Sequence, residues 1–176
     1  HLFVIDPENG NVLQTIEVKG AENVDWEDLT NSRQHLFIGD MGNNDGDRKD
    51  LKIYMVHLDD FNFSGDGSVD VSGVIEFSYP NQTNFGQSKD HNFDCEAIIY
   101  REGHIYLFSK NRLNNQSDLY RIPATPGSYQ AERLGSFETR GLITGADIHP
   151  GGHQVTLLGY RKNGDCFLWI LDNFEN

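Results

Sequence analysis

Val24-Asp25-Trp26-Glu27-Asp28-Leu29 is the stretch on which the fold turns. An apolar residue opens it, carboxylates follow, and it re-enters an apolar run. Phe93-Asp94-Cys95-Glu96-Ala97-Ile98 and Ile143-Thr144-Gly145-Ala146-Asp147-Ile148 repeat the pattern. After a short turn each leads to a second apolar segment: Leu36-Phe37-Ile38-Gly39-Asp40, Ile105-Tyr106-Leu107-Phe108-Ser109-Lys110, and Val155-Thr156-Leu157-Leu158-Gly159-Tyr160. Glu27 and Glu96 stand 69 residues apart, and Glu96 and Asp147 stand 51 apart. Self-similarity at such spacings signals a repeat architecture.

The recurring unit reads as an all-β blade of four antiparallel strands, as in a β-propeller. Residues 1–20 form a hairpin, the outer two strands of one blade. Residues 22–80 form a complete blade with strands Val24–Thr30, His35–Asp40, Leu51–His57 and Val71–Tyr79. Residues 93–140 form another, with strands Asp94–Tyr100, His104–Lys110, Asp118–Pro123 and Glu132–Glu138. The partial blade at 143–176 supplies Thr144–His149, Gln154–Tyr160 and Cys166–Asp172. Propellers close with about four to eight blades, so the chain is expected to be part of a larger ring. The remaining blades would come from the full-length protein or another chain.

The formal charge of −13 argues against a nucleic-acid partner, because phosphate binding needs a basic face. It suits cation binding, or simple solubility. No apolar run reaches the roughly 18 residues of a membrane span. Two cysteines are too few for a disulfide framework, and Cys95 and Cys166 read as buried free thiols. Trp26 reads as packed between blades, and Trp169, within Phe167-Leu-Trp-Ile-Leu171, as core.

In a blade the first strand lines the central channel, and its start lies beside the end of the second strand. Asp25, Glu27, Asp28, Asp94, Glu96 and Asp147 should therefore gather at one mouth, with Thr144 among them. Asp40, Lys110 and Tyr160, which end the second strands, should join them. Two polar loops, Met41–Asp50 and Pro80–Asn92, belong to the same rim and bring Asn43, Asn44 and Arg48. Six carboxylates with amide and hydroxyl oxygens suit a hard cation such as Ca²⁺. The same acids could instead accept neighbouring backbone N–H groups, or pair with Lys110, Arg48 and Arg161, and so lock blades together. Zinc is not indicated, because the seven histidines are scattered.

The ordered series Asn23-Val-Asp-Trp-Glu-Asp-Leu29, Ile38-Gly-Asp-Met-Gly-Asn-Asn44 with Arg48 and Ile53-Tyr54, Asp94-Cys-Glu-Ala97 with Ser109-Lys110, and Ile143-Thr-Gly-Ala-Asp147 resembles uncharacterised exported β-propeller proteins, mostly bacterial. More loosely it is similar to six-bladed calcium-associated propellers, the gluconolactonase/paraoxonase group and the β-propeller phytases. That resemblance implies a six-bladed ring, a central cation and a secreted, periplasmic or cell-surface location. It implies, as one alternative, Ca²⁺-dependent hydrolysis of lactones, esters or phosphoesters. Glu27, Asp28, Asp94, Glu96 and Asp147 would then hold the ion and Asp40 would orient a water. Lys110 and Arg48 would offset negative charge. No activated nucleophile is recognisable, so the leading expectation is non-enzymatic. It is a small-molecule or protein ligand bound at the acidic mouth beside a structural Ca²⁺, with Asn43, Asn44, Thr144, Tyr160 and Arg161 among the contacts. A third alternative is a structural segment of a larger surface protein.

Overall fold

A computed structural model of the chain describes residues 1–174. The protein is all-β, with one 3-10 turn at Leu58–Asp60. Its strands are β1 (Leu2–Ile5), β2 (Val12–Lys19), β3 (Trp26–Asn31), β4 (His35–Asp40), β5 (Lys52–His57), β6 (Gly67–Asp70), β7 (Gly73–Ser78) and β8 (Cys95–Arg101). They continue with β9 (His104–Ser109), β10 (Gln116–Pro123), β11 (Gly127–Gln130), β12 (Glu132–Glu138), β13 (Leu142–Ile148), β14 (Gln154–Tyr160) and β15 (Cys166–Asp172).

Four sheets result, ordered β1-β2-β6, β11-β7-β5-β4-β3, β12-β10-β9-β8 and β13-β14-β15. The strands joined by short turns, β1–β2, β3–β4, β8–β9, β13–β14 and β14–β15, pair antiparallel, because a short turn reverses the chain. Glu102-Gly103, both at positive φ (47° and 80°), makes the tight turn between β8 and β9. The first strands of three sheets, β3, β8 and β13, lie side by side in that order. Two side-chain bonds tie the first pair: Ile98 N donates to Asp28 Oδ2 and Tyr100 N to Thr30 Oγ1, each at 2.9 Å.

The expected four-stranded antiparallel pattern holds for β3–β4–β5–β7 and for β8–β9–β10–β12. Elsewhere two short strands add parallel pairs: β6 lies on β2 and β11 on β7. Each runs along the edge of one sheet, and the chain then becomes the fourth strand of the next, as β7 on β5 and β12 on β10. A single length of chain thus links neighbouring sheets twice.

Apolar side chains fill the spaces between sheets. Phe37, Ile53, Ile75, Ile98, Leu107 and Tyr120 form the largest cluster, between the second and third sheets. Ile99, Tyr106, Phe108, Ile143, Val155 and Leu157 join the third to the fourth. Ile16, Val18, Ile38 and Val56 join the first to the second. Full burial of a side chain the size of Phe108 stabilises by about 1.5–3 kcal/mol. β8 and β9 carry continuous apolar runs because both their faces are covered, whereas β7 alternates buried Ile75 and Phe77 with exposed Glu76 and Ser78.

Two packing expectations fail at β15. As the third strand of a three-stranded sheet it has an uncovered edge, and Leu168 and Ile170 are 66% and 62% exposed. Trp169 is therefore partly exposed rather than core, its Nε1 donating to Thr139 O at 3.1 Å. Cys166 is an exposed thiol for the same reason, while Cys95 is buried and free as expected. Burial pushes the Cys95 thiol up to about 12. Trp26 packs near Tyr54 between the first two sheets, with ring centroids 6.3 Å apart.

Candidate functional site: an acidic rim at the starts of the first strands

Three register breaks aim the rim residues. β3 slips against β4 between Trp26 and Asp28, β8 against β9 between Cys95 and Ala97, and β13 against β14 between Ile143 and Gly145. Each break is a bulge that sets two residues opposite one and turns a side chain out of strand alternation. The bulged residues are Glu27, Glu96 and Thr144. Thr144, not Asp147, is therefore the third counterpart of the two glutamates. Asp147 pairs with Thr156, three residues further along β13, as Thr30 pairs with Phe37 on β3. Sequence comparison placed the third copy out of step because Asp147 was the nearest carboxylate to align.

The two polar loops do dock on one rim. Gln82 Nε2 donates to Gly46 O at 2.8 Å and Ser88 N to Asp45 O at 2.8 Å. Asn43 organises the join, its backbone N donating to Asp94 Oδ1 and its Nδ2 to Phe93 O, each at 2.9 Å. Gly46 needs its positive φ of 72°, and a Cβ there would meet the His91 ring at 2.9 Å.

Most rim carboxylates have partners. Asp40 is fully buried and pairs with Arg48 at 3.1 Å, while also accepting Asp25 N at 2.8 Å. Asp94, equally buried, pairs with Arg112 at 2.8 Å. Glu96 pairs with Lys110, whose Nζ also stands 5.5 Å from the Tyr160 ring centroid. Arg161 turns to the Phe167 ring at 5.0 Å. Asp28 is directed into the sheet, its two oxygens accepting Ile98 N and Leu29 N. Burial pushes Asp28 up to about 6, although the N–H groups of Ile98, Leu29 and Ala146 pull it back. Arg112, which its position two residues after Lys110 puts near the expected mouth, takes a role that the sequence does not assign, the pairing of Asp94.

Asp25 and Glu27 are different. Neither has an ion-pair partner within 4 Å among the described residues. Both carboxylates lie against Gly42: a Cβ there would strike Asp25 Oδ2 and meet Glu27 Oε1 at 2.5 Å. Among the described residues only Asn44 Nδ2, at 3.1 Å from Asp25 Oδ2, donates to the pair from a side chain. Burial, then the charges of Glu96, Asp25 and Asp94, raise Glu27 to about 8, and Lys110 offsets this only in part. Burial likewise raises Glu96, with Lys110 opposing.

The six expected cation ligands thus divide. Asp25 and Glu27 meet at the rim, with Asp94 and Glu96 close enough to be felt electrostatically. Asp28 is engaged by β8, and Asp147 stands further along its strand. Among the described residues no group of three or more His, Cys, Asp or Glu side chains is arranged to hold a metal ion. The three residues expected to act in hydrolysis, Asp40, Lys110 and Arg48, are all engaged in ion pairs that join strands and loop. No protein-family model matches the chain, and comparison with curated proteins finds no significant match.

Proposed function

We propose that the chain is a run of β-propeller blades, part of an exported protein, whose acidic rim binds a cation-bearing ligand and takes up Ca²⁺ at Asp25 and Glu27. The observation that carries the reading is the approach of those two carboxylates over Gly42 without a cationic side chain between them. Two like charges held together repel, and a divalent ion relieves that cost. Ca²⁺ takes six to eight oxygens and accepts water among them. Asp25 and Glu27 fit as two of the ligands on a rim open to solvent, with water completing the shell.

The blade reading is supported by the repeated order of first, second and third strands, and by β3, β8 and β13 standing side by side. The salt-linked Asp40, Asp94 and Glu96 favour a binding scaffold over a hydrolase, since their partners leave none of them as a free base. Export rests on the sequence resemblance.

The test is thermal unfolding in EGTA and in millimolar Ca²⁺. A rise in Tm of several degrees is expected, because a ligand bound only to the native state stabilises it by mass action. No rise up to 10 mM Ca²⁺ refutes the cation site.

A further inference from the structure

We propose that a second binding site lies at the opposite ends of the first strands, where the buried Arg101 guanidinium receives a small organic carboxylate. Arg101 closes β8, six residues beyond Cys95, which at about 3.3 Å per residue places it roughly 20 Å from the acidic rim. It lines a cavity of about 820 Å³ between the ends of β3, β8 and β13, together with Arg33, Tyr100, Ile148 and Pro150. A volume of this order accommodates a metabolite-sized organic molecule.

Arg101 is 9% exposed, and its Nε and Nη1 are buried without a hydrogen-bond partner among the described residues. Its Nη2 faces Glu102 Oε1 at 3.5 Å, a loose contact to a side chain that is itself largely in solvent. The Phe174 ring, 6.0 Å from Cζ, supplies a cation–π contact but accepts none of the guanidinium protons in the plane. Guanidinium groups stay charged in proteins and present a planar fork that matches a carboxylate. A buried charge with unmet donors is costly; each edge of the fork pairs Nη2 with one of the two unmet donors, so an oxyanion that replaces the loose Glu102 contact meets one of them and lowers the cost.

The walls set the class of anion. Asp147 and Glu102 also line the cavity, so a dianionic phosphate meets two like charges that a monoanion tolerates better. Tyr100, Ile148 and Pro150 offer apolar surface to a hydrocarbon body. An aromatic or branched aliphatic monocarboxylate fits both conditions. Arg33, exposed at the margin, adds long-range attraction for the anion without being the anchor.

The experiment is an NMR titration of the ¹⁵N-labelled chain with sodium benzoate, in EGTA so that the cation site plays no part. Sodium phosphate and sodium chloride serve as comparisons. Saturable shifts are expected at residues 30–33, 100–102 and 147–149. The substitution Arg101→Gln should weaken benzoate binding roughly 10- to 100-fold, the effect of losing a charged hydrogen-bonded partner. Should Arg101→Gln fail to fold, the Arg101 Nε–H resonance of the unaltered chain gives the answer, since benzoate must move it. Absence of saturable shifts at these positions overturns the site. Equal or stronger binding of phosphate overturns the carboxylate assignment, and unchanged affinity in Arg101→Gln overturns the role of the guanidinium.

Discussion

Replacing Gly42 by alanine tests the rim without touching a charge. The Gly42 backbone is fixed from both sides: its N donates to Asp25 O at 3.2 Å, and its O accepts Arg48 Nη1 at 2.8 Å. Its φ lies outside the left-handed region, so alanine is admissible there. The new methyl would stand 2.5 Å from Glu27 Oε1 and closer still to Asp25 Oδ2. Ordinary van der Waals contact begins near 3.4 Å, so each carboxylate must retreat by about 1 Å. Ca²⁺–oxygen bonds span only about 2.3–2.6 Å, and a retreat of that size removes both ligands from one ion. If the unaltered chain binds with a Kd of about 1 mM, then 10 mM Ca²⁺ stabilises it by about 1.4 kcal/mol. For a chain of this length that raises Tm by about 3–6 °C. Gly42→Ala should abolish the rise while leaving Tm in EGTA within a few degrees, because moving the acids apart also lowers their repulsion. Differential scanning calorimetry with and without Ca²⁺ measures both. A variant that keeps the full Ca²⁺ shift refutes the assignment of Asp25 and Glu27 to the ion.

Stability in EGTA should depend on pH through the same groups. Glu27 is raised to about 8 and Asp28 to about 6 in the folded chain. Raised carboxyls stabilise while protonated, so their contribution is complete below about pH 4, falls as pH rises through 6, and is gone above 8. Glu27→Gln should flatten the upper part of that decline in Tm, and a variant with an unchanged profile would contradict the shift. Arg112→Met leaves buried Asp94 with Asn43 N as its remaining donor at Oδ1; Arg112 is partly exposed, so a loss of about 2–3 kcal/mol is expected in urea unfolding. Thr30→Val removes the acceptor of Tyr100 N and should cost about 1 kcal/mol, with faster amide exchange at Tyr100 as its signature. With Ellman's reagent, Cys166 should react in the native chain and Cys95 only after unfolding, because one thiol is exposed and the other is buried and held up near 12.

Much of the fold was legible because strand alternation and turn chemistry are local. β4, β12, β14 and β15 begin and end where the sequence places them, and Glu102-Gly103 turns as its residue types require. The parallel strands β6 and β11 were not legible in the same way. Each is four residues long and pairs with a strand far away in sequence, so its stabilisation comes from a partner that no local window contains. A shared opening, Gly67-Ser68 and Gly127-Ser128, was the one repeat signal available for them.

The sequence by itself determined that carboxylates cluster at the starts of successive first strands and that two polar loops share their rim. Composition and spacing contain that information without reference to contacts. Tertiary structure alone decided which carboxylates are neutralised. Arg48, Lys110 and Arg112 claim Asp40, Glu96 and Asp94, while Gly42, lacking a side chain, lets Asp25 and Glu27 close on each other. It also decided that Asp147 belongs three positions further on, because Thr144 occupies the bulge that Glu27 and Glu96 occupy in β3 and β8, and matching carboxylate to carboxylate passes over it. The physical reason is common to both: charge is a property of a residue, but its cost depends on the groups that folding brings within a few ångströms.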